Sequence, residues 1–300
     1  MLTDDLIGAL RCPLCAAPLH RAASSLRCPS AHSFDLSRHG YAHLGTGRKL
    51  PEGDTSAMVD ARTRTHSAAL FHPLPQAVDH ELMDVFGGVF PPWHRDRQNE
   101  GPPLVVDLGA GTGYYLAEVL ESWPQAGGLA FDVSKAALRR AAKAHPRAGA
   151  VLADTWGPLP LADGCADLVL NVFAPRNGPE MRRVLADGGL LLVVTPTADH
   201  LRELREALPL LAVDEAKERR LAASLPQFEQ FGARTVRWTM DLSREQALDL
   251  IGMGPSAHHV DLTDLARRLP DRIEVTAGVD LSTWTGRPLP SRPADRGTPR

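Results

Sequence analysis

From Leu104 onwards, short apolar runs alternate with segments whose apolar residues recur at helical spacing. Short runs bounded by turn residues are typical of strands buried on both faces. These runs lie at residues 104–108, 128–132, 149–152, 166–172 and 189–195, and helices are predicted at 115–122 and 136–144. Because strands and helices alternate along this segment, we expect a doubly wound α/β sheet.

The later part of the chain continues the pattern less regularly. Leucines at helical spacing predict a helix across residues 201–230. Two further runs, at 234–242 and 273–281, can complete the sheet as an antiparallel edge. The segment 286–300 is rich in Pro and Arg and is predicted to be a disordered tail.

The first hundred residues carry little of this periodicity. Segment 33–65 is rich in Gly, His and Arg and is interpreted as a loop with a functional surface. Residues 75–89 have a helical stripe, and the proline-flanked stretch 91–103 is typical of a linker. The expected organisation is a module at 1–50, a substrate loop, helix and linker at 51–100, and an α/β domain at 101–285.

Composition narrows the class of protein. The chain has 300 residues, of which 43% are hydrophobic and 23% charged, and its formal net charge is −3. No stretch reaches the roughly 20 apolar residues of a membrane span, and the opening Met-Leu-Thr-Asp-Asp lacks the regions of a signal peptide. We therefore expect a soluble cytoplasmic protein with no membrane partner, whose contacts with any nucleic acid come from a local patch.

Three of the four cysteines fall within the first 28 residues. Cys12, Cys15, Cys28 and His32 supply four ligands, the number that Zn²⁺ needs in a closed structural site. The twelve residues between Cys15 and Cys28 contain Pro18 and little helical periodicity, so we expect a hairpin there. A hairpin predicts a zinc ribbon with one structural ion per chain, and not a DNA-reading finger, whose helix would fill that interval.

A glycine-rich turn, Gly109 to Gly113, follows the first strand of the α/β segment. Glycines let the backbone turn sharply and let a ligand approach the main chain. Because several nucleotide cofactors use such turns, the neighbouring acids discriminate between them. Asp107 lies at the mouth of the turn, and Asp132 ends the next strand, where an acid bonds ribose hydroxyls or else caps the following helix. Asp154 follows the third strand, where it faces an adenine edge or is only a turn acid.

The order and spacing of four segments resemble class I S-adenosylmethionine-dependent methyltransferases. The segments are DLGAGTG at 107–113, FD at 131–132, AD at 153–154 with LPL at 159–161, and ADLVLNVF at 166–173. Together with the zinc pattern, Phe34-Asp35, Gly40-Tyr41 and the segment Met253 to His258, they give the whole chain a likeness to one family. It resembles the 23S rRNA (guanine-N1)-methyltransferases, which include members that protect macrolide producers from tylosin-type drugs.

This resemblance implies an α/β enzyme with an N-terminal zinc ribbon followed by a doubly wound, Rossmann-like class I methyltransferase sheet. Its substrate would be a guanine N1 in a 23S rRNA hairpin near the peptide exit tunnel, and the protein would be a homodimer with no DNA partner. Zn²⁺ would bind at the four ligands above. The residues implied for S-adenosylmethionine are Asp107, Gly109, Gly111, Gly113, Tyr114, Asp132, Asp154 and Thr155.

Guanine N1 carries a proton that must leave before it can attack a methyl group, so a nearby carboxylate or histidine would help. Asp54 and His258 are predicted for this role. Asn171, at the end of the fourth strand, contacts either the base or only its own turn. Phosphate contacts are predicted from four cations of the N-terminal region, which are Arg48, Lys49, Arg62 and Arg64.

Two other functions share the same core pattern. One is a small-molecule methyltransferase of the quinone or natural-product type that carries a zinc ribbon only for stability. The other is a zinc-dependent nucleic-acid binder with a vestigial cofactor fold, which conflicts with the intact set Asp107, Gly109, Gly111 and Asp132.

Overall fold

The computed structural model describes residues 2–46, 50–86, 101–207, 224–254, 257 and 261–286. The helices within these ranges are α1 (Asp4–Ala9), α2 (Ser56–Ser67), α3 (Pro73–Phe86), α4 (Tyr114–Ser122), α5 (Lys135–Ala141), α6 (Gly178–Val184), α7 (Arg202–Ala207), α8 (Arg244–Gly252) and α9 (Leu262–Arg268). The strands are β1 (His20–Ala22), β2 (Ser25–Arg27), β3 (Ser33–Asp35), β4 (Tyr41–His43), β5 (Leu104–Leu108), β6 (Gly127–Asp132), β7 (Ala148–Leu152), β8 (Ala166–Val172), β9 (Leu185–Pro196), β10 (Phe228–Ser243) and β11 (Arg272–Gly286). None of the described helices has the length and apolar character to cross a membrane.

A mixed sheet with the strand order β10-β11-β9-β8-β5-β6-β7-β4 organises the α/β part. Strands β9, β8, β5, β6, β7 and β4 pair in parallel, whereas β11 runs antiparallel to both β9 and β10. The predicted doubly wound sheet and its antiparallel edge are therefore confirmed. The strand order reverses between β5 and β8, and open α/β sheets bind ligands outside the carboxyl ends of the strands at such a point.

The central strands are apolar because both of their faces are covered. Every residue of β5 and of β8 is buried. Alternate residues belong to two separate apolar clusters, since Val105 packs into one and Val106 into the other. Helix α4 contributes Leu116 to the first cluster, and α6 contributes Met181 to the second. Two covered faces hold the loops at the carboxyl ends of the strands in place.

The N-terminal segment folds as a small antiparallel sheet in the order β1-β2-β3. Its β1–β2 hairpin lies between Cys15 and Cys28, as predicted. Strand β4 then leaves this sheet and pairs in parallel with β7 at the edge of the large sheet. Leu26 and Phe34 pack in the same apolar cluster as Val151, so the zinc-ligand segment and the α/β sheet share a core.

The prediction of a loop across residues 33–65 is wrong, because this segment contains β3, β4 and most of α2. Thr55 caps α2, and its side chain accepts a hydrogen bond from the Met58 N–H. The buried side of the helix consists of Met58, Val59, Ala61 and Thr65. Only Met58 and Val59 of these four are large and apolar, so the apolar stripe is weak and the periodicity did not indicate a helix.

The predicted helix across residues 201–230 is also wrong at its C-terminal end. Helix α7 ends at Ala207, residues 208–223 lie outside the described residues, and Phe228 already belongs to β10, where it pairs with Gly286 of β11. A strand partner distant in sequence decides that end. The predicted tail at 286–300 is wrong at its first residue, because Gly286 ends β11. Residues 287–300 and most of the linker lie outside the described residues, and the domain boundaries stay predictions.

Candidate active site and metal centre

The four predicted metal ligands meet in one cluster. Their ligand atoms all lie within 4.8 Å of one another. The sulfurs of Cys15 and Cys28 are 3.7 Å apart, and His32 Nδ1 lies 3.4 Å from the sulfurs of Cys12 and Cys28. With Zn–S bonds of about 2.3 Å, a tetrahedral site has sulfur–sulfur edges of about 3.8 Å. The spacing therefore fits one Zn²⁺ with four protein ligands, which is a structural site.

The ligands differ in their surroundings. Cys12 and Cys28 are buried, whereas Cys15 is exposed. The Ala17 backbone N–H lowers the pKa of the Cys15 thiol to about 6, whereas burial raises the pKa of Cys12. A thiolate is the form that binds metal, so the lowered pKa of Cys15 favours the form of this side chain that binds zinc.

The predicted cofactor turn lies at the carboxyl end of β5. The backbone φ values of Gly109, Gly111 and Gly113 are 77°, 55° and 78°, which residues other than glycine rarely adopt. A Cβ atom at Gly109 would lie 2.5 Å from the Ala174 Cβ. The N–H groups of Gly109 and Ala110 both donate to the Phe131 carbonyl of β6, at 2.9 and 3.0 Å. The turn is thus pinned between β6 and the loop after β8.

Two acids flank this turn. Asp107 is only 2% exposed, and its Oδ2 has no hydrogen-bond partner among the described residues. Burial and the nearby Asp132 carboxylate raise the pKa of Asp107 to about 8. Asp132 accepts hydrogen bonds from the N–H groups of Gly111, at 2.8 Å, and Ser134, at 2.7 Å. Each Asp132 oxygen retains a lone pair for a further donor, so the two acids fit a ligand that brings an ammonium group and hydroxyls.

The alternative that Asp132 caps α5 is wrong, because Ser134 is the cap and its Oγ accepts from the Ala137 N–H at 3.2 Å. Asp154 forms a turn contact, since its Oδ1 accepts from the Trp156 N–H at 2.9 Å. Its neighbour Thr155 is buried. The cofactor roles of Asp154 and Thr155 stay predictions.

Helix α2 lies across the turn, which the sequence did not indicate. Arg62 Nη1 is 2.5 Å from Asp54 Oδ2, and Arg62 Nη2 donates to the Met253 carbonyl at 2.9 Å. A Cβ atom at Gly111 would lie 2.8 Å from Arg62 Nη1, which places the guanidinium directly against the turn. The Asp54 carbonyl accepts a hydrogen bond of 2.6 Å from Ser134 Oγ. The Asp54–Arg62 pair therefore belongs to the cofactor side of the site.

Aromatic rings continue from the turn along the edge of the sheet. His66 of α2 stacks on Tyr114, with ring centroids 4.1 Å apart and planes at 21°. Burial and the charge of Arg62 lower the pKa of His66 to about 3, so its ring is neutral at physiological pH. Sequence reasoning did not assign a role to His66, because its place beside Tyr114 depends on the docking of α2.

Asn171 is fully buried at the end of β8. Its Nδ2 donates to the Pro175 carbonyl at 2.9 Å and to the Leu108 carbonyl at 3.5 Å, while Oδ1 has no partner among the described residues. These bonds hold the turn of Asn171 against β5, which is the structural one of its two predicted roles. A contact with the base stays a prediction.

The predicted RNA-binding cations are not equivalent in the structure. Arg64 is exposed but paired with Asp249, at 2.6 Å, and Arg62 is held at the cofactor turn. Arg48, Lys49 and the predicted catalytic His258 lie outside the described residues. Their roles stay predictions.

A different group of cations lies where the N-terminal module packs against α5. Partial desolvation and the positive charges of Arg139, Arg38 and Lys143 lower the pKa of His39. The turn before β4 packs on this helix, since a Cβ atom at Gly40 would lie 3.3 Å from the Ala142 Cβ. We call the three cations that act on His39, which are Arg38, Arg139 and Lys143, the α5 cationic cluster. A cleft of about 590 Å³ opens beside it and is lined by residues that include His43, Lys135 and Arg139.

Comparison with known proteins identifies the family of this chain. Residues 10–45 match the model described as "RlmA, N-terminal", a zinc ribbon, and residues 105–189 match a methyltransferase domain. A Micromonospora griseorubida protein that carries a 23S rRNA (guanine-N(1)-)-methyltransferase name is 50% identical over 93% of this chain and 98% of its own. The chain belongs to the 23S rRNA (guanine-N1)-methyltransferase family.

Two further relatives differ in how much of this chain they match. The Streptomyces fradiae 23S rRNA (guanine(748)-N(1))-methyltransferase is 45% identical over 96% of this chain and all of its own length. A malonyl-[acyl-carrier protein] O-methyltransferase of Nitrosospira multiformis is 33% identical, but the match covers 35% of this chain and 43% of that protein. Membership of the rRNA methyltransferase family thus rests on nearly the whole chain, whereas the match to the O-methyltransferase covers only 35% of it.

Proposed function

We propose that this protein transfers a methyl group from S-adenosylmethionine to N1 of a guanine in a 23S rRNA hairpin. The observation that carries the proposal is the full-length match to the guanine-N1 methyltransferases, in a chain that retains both the four-ligand cluster and the glycine turn with its two acids. The S. fradiae relative is named for guanine 748, and we propose the equivalent guanine as the target.

The cofactor supplies, when bound, a methyl group on a positively charged sulfur, which a nucleophile attacks readily. The protein has to hold the acceptor nitrogen in line with it and to exclude water. The turn at Gly109–Gly113 leaves the backbone open to the ligand, Asp107 offers an unfilled acceptor for an ammonium group, and Asp132 offers acceptors for ribose hydroxyls. Loss of the N1 proton requires a base, and Asp54 has to leave Arg62 before its carboxylate can take that role.

Guanine N1 lies on the Watson–Crick edge, so the base has to be unpaired or turned out of a stem before transfer. An RNA hairpin also needs phosphate contacts outside the catalytic pocket. The α5 cationic cluster supports this requirement, because Arg38, Arg139 and Lys143 have no acidic partner in the part of the chain that the structure describes. It lies beside the cleft, on elements from both the zinc-ligand segment and the α/β sheet.

The test is methyl transfer from labelled S-adenosylmethionine to an unmethylated 23S rRNA hairpin, followed by reverse transcription. N1-methylguanine blocks base pairing, so we expect a single strong stop at one guanine. A hairpin with adenine at that position is the matched control and should accept no label. If cofactor binding is normal by calorimetry but no RNA is labelled, the small-molecule methyltransferase becomes the better hypothesis.

The biological setting is part of the same proposal. We propose a cytoplasmic homodimer that confers resistance to tylosin-type macrolides, and both parts have direct tests. Expression in a sensitive host should raise the inhibitory concentration of tylosin, and light scattering should give twice the mass of one chain. A monomer in solution would contradict the proposed dimer but not the proposed methyl transfer.

A further inference from the structure

Phe173 combines an unusual backbone conformation with an exposed aromatic ring. It follows β8 directly, its φ is 54°, and 42% of its surface is exposed. A non-glycine residue with positive φ is uncommon and, for a bulky side chain, strained. Its backbone is held in place by a hydrogen bond of 3.1 Å from its N–H to the Val194 carbonyl of β9. The fold therefore presents a large apolar ring to solvent from a rigid, strained position.

A group of aromatic side chains, of which Phe71 is buried and His200 and Trp238 are half-buried, packs around this ring. Phe71 is 1% exposed and meets Phe173 edge-to-face, with centroids 6.4 Å apart and planes at 87°. The His200 ring lies 5.9 Å from Phe173 and 6.3 Å from Phe71. Trp238 packs on Phe71 at 5.6 Å, and its indole N–H donates to the Leu70 carbonyl at 2.9 Å. Phe71 and His200, which come from segments distant in sequence, thus contact the Phe173 ring, while 42% of the residue stays exposed.

Phe173 belongs to the loop that packs against the cofactor turn. Its neighbour Ala174 is the residue that a Cβ atom at Gly109 would meet at 2.5 Å. The rings of His66 and Tyr114 continue from Phe71 to the start of α4, which the turn begins. An acceptor base that receives a methyl group has to lie next to this turn, because the donor binds there.

We propose that the exposed face of Phe173 is the platform on which the target guanine stacks when it leaves its hairpin. This inference rests on the proposed function. Proteins that recognise unpaired bases stack them on aromatic side chains, and such a platform has to be rigid to orient N1 towards the methyl donor.

The experiment compares Phe173→Ala with Phe173→Tyr and Phe173→Trp on the same rRNA hairpin. Alanine removes the platform, so kcat/KM for RNA should fall about 5- to 150-fold, the range for loss of one base–aromatic stack. Tyrosine and tryptophan keep an aromatic face and should retain activity near that of the unchanged protein. Phe231→Ala, which removes a ring that is 64% exposed on β10, is the matched control and should have no effect.

A second readout separates stacking from a structural role. A hairpin carrying 6-methylisoxanthopterin, a fluorescent guanine analogue, at the target position should be quenched by the unchanged protein and less so by Phe173→Ala. Affinity for S-adenosylmethionine should be the same in both. The inference is overturned if Phe173→Ala has the same activity and quenching as the unchanged protein. It is also overturned if the affinity of Phe173→Ala for S-adenosylmethionine falls as much as its activity does. If the unchanged protein labels no RNA at all, it is the proposed function that fails.

Discussion

Replacing Asp107 with Asn should remove a pH dependence of folding stability that the buried carboxyl creates. Asp107 is enclosed by the sheet and the turn, and its pKa is raised to about 8. In the unfolded chain an aspartate titrates near pH 3.9. Between these values the native protein holds one proton more than the unfolded chain, so the free energy of unfolding falls as pH rises.

The size of this effect follows from the linkage slope. One extra bound proton changes the free energy of unfolding by about 1.4 kcal/mol per pH unit. Between about pH 5.5 and 7.5 the Asp107 carboxyl should therefore cost about 2–3 kcal/mol of stability, within the window that its raised pKa sets. Asn has nearly the same shape and no proton to lose, so Asp107→Asn should lack this contribution.

Urea unfolding of both proteins at several pH values, with zinc present, measures the difference directly. All other titrating groups are common to both proteins and cancel in the difference. We expect Asp107→Asn to gain stability relative to the unchanged protein as pH rises. A difference that stays constant across this range would refute the reasoning, since Asp107 would then be ionised in the native protein.

Three other predictions follow from the same geometry. Cys28→Ser removes a buried metal ligand, so the protein should lose its zinc by atomic absorption and melt at a much lower temperature, whereas Cys165→Ser should keep its zinc; full occupancy in Cys28→Ser contradicts the assigned ligand set. Gly109→Ala places a Cβ atom 2.5 Å from the Ala174 Cβ at a φ of 77°, so it should lower the free energy of unfolding in urea by about 2–5 kcal/mol. The control is Gly101→Ala, where a Cβ atom meets open space, and it should change the free energy of unfolding by less than about 0.5 kcal/mol. Replacing both Arg139 and Lys143 with Gln should lower the slope of log affinity for the hairpin against log salt by about 1.4–1.8, and an unchanged slope, as expected for Arg267→Gln, excludes phosphate contacts by the α5 cationic cluster.

Local pattern was sufficient where neighbours in the chain decide the structure. The strands at Leu104–Leu108 and Ala166–Val172 lie at their predicted positions, because a strand covered on both faces needs a continuous apolar run. The hairpin between Cys15 and Cys28, the cluster of four ligands and the turn at Gly109–Gly113 also follow from short-range spacing. These features carry most of the chemistry of the candidate site.

Contacts between distant segments decided the rest. Strand β4 pairs with β7, more than a hundred residues away, and β10 begins at Phe228 because β11 supplies its partner. Arg62 and His66 reach the cofactor turn only because α2 docks there, and nothing in their local sequence distinguishes them from surface cations. The zinc ligands, the glycine turn and the central strands were determined by the sequence itself, since short-range spacing specifies them. The aromatic platform at Phe173 and the ion pair over the turn were decided by tertiary packing, because each needs side chains that only the folded sheet brings together.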